Sequence, residues 1–78
     1  MIHIGTCIRK QLETQGKTAE WLAAELGCHP TDIVNIFEHR SIDTGVLQRI
    51  SSVMHHDFFQ LYTEEVEKFI ADNKAELD

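Results

Sequence analysis

Positive charge is scarce in this chain: seven Lys and Arg stand against thirteen Asp and Glu in 78 residues, a formal net charge of −6 with histidine neutral. That balance argues against a protein that coats nucleic acid with cations, since non-specific affinity for phosphate needs Lys and Arg. Cysteine occurs only as Cys7 and Cys28, too sparse for a small disulfide framework, so a reduced, cytoplasmic chain is expected. No segment nears the roughly 18 consecutive apolar residues of a membrane span, and Met1 to Ile4 carries no basic run before a long apolar stretch. Neither a membrane partner nor a leader is expected. Nucleophile–base spacing, a glycine-rich phosphate loop and CxxC or HxxxH pairs are all missing, which leaves no enzyme, no metal site and no cofactor to expect. Ser51, Ser52 and Asp57 lie near His55 and His56 only by arithmetic.

At 78 residues the chain is expected to form one domain without a separate ligand-sensing domain. A domain of this size buries only about 60% of the surface that its unfolded chain exposes, so it needs an efficient core or a partner copy. The charge is unevenly spread. Residues 1–56 hold five cations and six carboxylates, whereas residues 57–78 hold two cations and seven carboxylates. A near-neutral body is therefore followed by an acidic tail that would be kept away from phosphate.

The periodicity is helical throughout. Ile4, Cys7, Ile8 and Leu12 define a first helix over 3–15, stopped by Gly16. Thr18 caps a second helix over 18–26, with Glu20 in its first turn, Leu22 and Leu26 on one face, and Gly27 as its left-handed end. Pro30 starts a third over 30–38, where a missing N–H costs nothing, with Ile33, Ile36 and Phe37 inward. Asp43 or Thr44 caps a fourth over 44–55 with the stripe Val46, Leu47, Ile50, Val53 and Met54. Asp57, with Gln60 three residues on, opens a fifth over 57–74 in a capping-box pattern. The expected architecture is an all-α bundle of five helices.

The segment TAEWLAAELGCHPTDIVNIFE, residues 18–38, carries the most information. A short helix, a glycine turn and a second helix follow without a gap, Ala23 suits a tight crossing, and Ile33 suits the contact that locks the pair. Position by position it resembles the helix-turn-helix of the lambda repressor and Cro-like family. IFEHRSIDTGVLQRIS and DFFQLY resemble a subgroup of small bacterial regulators, and the likeness spans about four fifths of the chain.

The resemblance implies a helix-turn-helix domain over 1–62, an acidic helical extension over 63–78, and a DNA-binding transcriptional regulator. In that family the third helix enters the major groove. Carried over residue by residue, His29, Thr31, Asp32 and Asn35 face bases, while Lys17, Thr18, His39, Arg40 and Thr44 lie where phosphate contacts are expected. Two positions depart from the family: Ala19 stands where Gln is usual, and Pro30 where Arg, Gln or Ser is usual, and both changes remove contacts.

Several residues fit more than one role. His39 and Arg40 suit phosphate contact and capping of the third helix alike. Trp21 suits packing on the core edge better than stacking on a base. Cys7 and Cys28 suit small buried apolar groups. Phe58, Tyr62, Val66, Phe69 and Ile70 recur at helical spacing and form either a homodimer seam or a surface folded over the first helix. Two functions stay in view: a dimeric regulator bound to double-stranded DNA, and a protein-interaction or antitoxin-like module on the same scaffold.

Overall fold

The computed structural model describes residues 1–74, which form five helices and no strand: α1 (Ile4–Thr14), α2 (Ala19–Leu26), α3 (Pro30–Phe37), α4 (Thr44–Met54) and α5 (Phe59–Asp72). Residues 75–78 of the expected extension lie outside the described part, and α5 crosses positions 62 and 63 without a break. No described helix is long and apolar enough to cross a membrane.

Each helix starts on a side chain that takes up free N–H groups, which otherwise stay unpaired in a first turn. His3 Nδ1 accepts from the N–H of Thr6 at 3.2 Å, and Thr18 Oγ1 accepts from Trp21 at 3.1 Å. Asp43, not Thr44, caps α4, taking the N–H groups of Gly45 (2.7 Å) and Val46 (3.2 Å). The start of α5 differs from expectation. Asp57 accepts from Phe59 N–H at 3.0 Å, while Gln60 donates to Glu64 and closes no capping box, so the helix begins at Phe59.

Three ends close in the same way, with an N–H reaching five residues back: Lys17 to Leu12, Cys28 to Ala23 and His56 to Ser51. The residue before each donor is left-handed. Gly27 sits at φ 73°, as its place between the two helices requires. His55 takes the same conformation at φ 52° despite its Cβ.

The core joins Ile4, Ile8 and Leu12 of α1, Leu22 and Ala23 of α2, Ile33 of α3, and Leu47, Ile50 and Met54 of α4. Phe58 closes it from the junction before α5 and is only 1% exposed. Val46, expected inside, is exposed, because the inward side of α4 is already filled by Leu47 and Ile50. Cys7 and Cys28 are free thiols packed at the edge of the core, half-buried and not fully enclosed.

The first turn of α1 meets the last turn of α3 through backbone. Ile4 N–H donates to the carbonyl of Arg40 at 2.9 Å, and Gly5 N–H to that of His39 at 3.0 Å. The positive end of one helix therefore rests on the negative end of the other. A Cβ on Gly5 would overlap the carbonyl oxygens of Ile36 and Phe37. Side-chain links elsewhere hold the same frame: Gln15 Nε2 donates to Met54 O at 3.0 Å, and Arg49 Nη2 donates to Leu26 O at 2.9 Å.

This junction predicts an ordering of glycine substitutions. Gly5→Ala must separate two backbones and is expected to cost about 3 kcal/mol, at the upper end of overpacking. Gly27→Ala adds a Cβ in open space and pays only the left-handed penalty, about 1 kcal/mol. Urea unfolding of both variants checks the order, and equal midpoints would contradict the backbone contact.

Candidate nucleic-acid interface

α3 is held from behind and open in front. Ile33 is fully buried against α2, Ile36 and Phe37 are half-buried, and α3 packs on both α1 and α2. Because positions i, i+3, i+4 and i+7 share a helix face, Thr31, Val34, Asn35 and Glu38 point the opposite way, and all four are exposed. Val34 is 49% exposed. It was missed by sequence reasoning, although its spacing from Thr31 and Asn35 already put a branched apolar residue on the outward side.

The proposed base-facing residues divide. Thr31 and Asn35 stand on that outward face. His29 is the exposed N-cap of α3 and lies beside it. Asp32 does something else: its carboxylate turns back and accepts the His29 N–H at 3.0 Å, while the His29 carbonyl accepts the Asp32 N–H at 2.9 Å. Asp32 is exposed, and one of its two carboxylate oxygens serves as a helix cap, since a carboxylate at a positive helix end is stabilised there.

The flanking residues are also differentiated. Lys17 holds its ammonium 4.9 Å above the Trp21 ring, a cation–π contact that sets the charge beside the start of α2. Trp21 itself packs half-buried against the core. Thr18 accepts the Trp21 N–H but keeps its own hydroxyl hydrogen for another acceptor. His39 Nδ1 lies 2.7 Å from the carbonyl of Asn35. Facing a carbonyl, that nitrogen must donate, so His39 caps α3 and its Nε2 donates to a phosphate only when the ring is an imidazolium. Arg40 is exposed and forms no ion pair among the described residues. Thr44 is exposed at the first position of α4.

Residues 17–44 contain two cations, Lys17 and Arg40, and five carboxylates, Glu20, Glu25, Asp32, Glu38 and Asp43. Asp32 and Asp43 are used as caps. The rim of α3 is consequently not a continuous positive band.

Of the five seam residues, Phe58 is corrected to a core residue, because the bundle closes around it. Tyr62 is half-buried and lines a groove of about 300 Å³ with Ile42, Leu47 and Phe59. Burial and then the neighbouring Cys7 thiolate push its phenol pKa upward. Val66, Phe69 and Ile70 stay uncovered, Phe69 at 66% exposure. The Met1 ammonium lies beside this stretch, 3.6 Å from Glu65.

An open hollow at the α4–α5 turn is lined by Ser51, His55, His56, Asp57 and Phe59. Ser51 Oγ accepts from the Phe58 N–H and Asp57 from the Phe59 N–H, so both serve the α4–α5 turn. Comparison with family models, with curated proteins and with solved structures gives no match.

The cap role of Asp32 is testable through stability. Asp32→Ala is expected to cost about 1 kcal/mol, a fall in Tm of roughly 4 to 8 °C for a domain of this size. A thermal melt followed by circular dichroism reads it, and an unchanged Tm would mean that the carboxylate is free to face outward.

Proposed function

We propose that this chain is a cytoplasmic, sequence-specific DNA-binding regulator in which α2, the Gly27 turn and α3 form a lambda-repressor-like helix-turn-helix. One observation carries the reading: α3 is clamped on its inner side while Thr31, Val34 and Asn35 stand together on its open side. A recognition helix needs that division, because base edges are read by side chains on a rigidly held support. Lys17, Thr18, Arg40 and Thr44 flank it as phosphate contacts, and His39 joins them when protonated. With so few cations, affinity must come more from groove contacts and from pairing of two copies than from charge.

A second reading has its own support. Five carboxylates against two cations around α3 suit a basic protein surface better than a phosphate backbone, as in a protein-interaction or antitoxin-like module. Salt separates the two, because neutralised phosphates release counterions and impose a steep dependence. On a duplex selected from a random pool, Asn35→Ala is expected to cost about 1 to 3 kcal/mol and to relax one base pair, whereas Lys17→Ala weakens all sequences and lowers the salt slope by about 1. Absence of salt-dependent duplex binding would overturn the regulator in favour of the interaction module.

The regulator acts as a twofold dimer joined by α5. Val66, Phe69 and Ile70 leave an apolar strip in water, and each large side chain buried against a copy contributes roughly 1.5 to 3 kcal/mol. Phe69→Glu is expected to abolish dimers in sedimentation without loss of helicity, because Phe69 lies outside the core. A wild-type chain that remains monomeric at high concentration, or a variant that still dimerises, would remove α5 from the interface.

A further inference from the structure

We infer that α3 reads adenine–thymine pairs, with Asn35 on adenine and the Val34 and Thr31 methyl groups against thymine methyls, and that it lacks the Arg or Lys that pairs bidentately with guanine. This rests on the DNA-binding reading and specifies the class of sequence that the site takes.

The argument is one of elimination on the open face. Guanine presents two acceptors in the major groove and is read by Arg or Lys. α3 has neither. The nearest cations are Lys17, drawn over Trp21, and Arg40, beyond the end of the helix. Cytosine presents an amino donor and would need a free carboxylate. One oxygen of Asp32 is held by the His29 N–H, which turns the carboxylate back along the helix, and Glu38 sits at the C-cap of α3, whereas bases are approached by the N-terminal part of a recognition helix.

What remains at that part is the His29 imidazole beside the face and, on the face itself, one amide, one hydroxyl and two kinds of methyl. The Asn35 side chain has no hydrogen bond among the described residues, and an amide matches the acceptor–donor pair of adenine bidentately. Val34, half-exposed and on the other side of Thr31 from Asn35 in projection down the helix, offers only methyls. Thymine is the one base whose major-groove edge carries a methyl to meet them.

Uracil isolates this contact, because deoxyuridine removes the thymine methyl and leaves pairing intact. The full-length protein is used to select duplexes from a random pool, and each thymine of the selected site is then replaced singly by deoxyuridine at fixed salt. Selected sites are expected to hold adenine–thymine pairs beneath α3. At least one uracil is expected to weaken binding about fourfold, the contribution of one buried methyl-sized group.

Val34→Ala is expected to bind the thymine duplex about fourfold more weakly and to lose its sensitivity to that uracil. Since Val34 is outside the core, its Tm should match the wild type and a folding defect is excluded by the same melt. Selected sites with guanine–cytosine pairs beneath α3, or uracil duplexes bound as tightly as thymine ones, would overturn this inference while salt-dependent binding kept the DNA reading intact. Failure to select any duplex would overturn both.

Discussion

The contact between the first turn of α1 and the last turn of α3 governs the arrangement of everything else. Two backbone hydrogen bonds, Ile4 to Arg40 and Gly5 to His39, join helix ends of opposite polarity, and they form only because Gly5 has no side chain to hold the carbonyls of Ile36 and Phe37 away. α3 is thereby fixed at its C-terminal end by α1 and along its inner side by α2. An eight-residue helix is marginal by itself in water. Its orientation is imposed by these neighbours, and the outward direction of Thr31, Val34 and Asn35 follows.

Much of the negative charge near α3 serves local structure. Asp43 supplies α4 with its cap, and Asp32 supplies α3 with the return bond of its first turn. A carboxylate so placed complements the partial positive charge of a helix end, and its field is less available to repel an approaching anion. Glu20 likewise lies in the first turn of α2, whereas Glu25 and Glu38 stay free of such roles. The surface is thus acidic in count and more even in effect.

Beyond the bundle, α5 departs from the body. Its first residues pack beside Phe58 and along the Ile42–Leu47 groove, and the remainder projects so that the described molecule measures 49 by 20 by 19 Å. Fourteen residues of helix span about 21 Å. The apolar strip of α5 and the outward face of α3 are therefore separate surfaces.

The five helices were legible in the chain because each has an apolar repeat, a polar starter and a stop: Thr18 and Gly27 for α2, Pro30 and Ile33 for α3, Asp43 and Leu47 for α4. Their periods and caps act within a few residues, and such signals are local. Gly5 was not legible, since nothing adjacent in the sequence says that residues 36 and 37 will press on it. Arg49 capping Leu26 from 23 positions away was equally silent. Phe58 read as one member of a surface stripe, yet the bundle needed an aromatic to close its core. Asp32 read as an outward acceptor, yet one of its carboxylate oxygens is drawn to the free N–H nearest it. Sequence by itself determined which stretches form helices, and their ends to within about two residues, because hydrogen bonds and periodicity within a helix are short-range. Only the tertiary structure decided which side chains of α3 and α5 reach solvent, because that depends on which distant backbone lies against them.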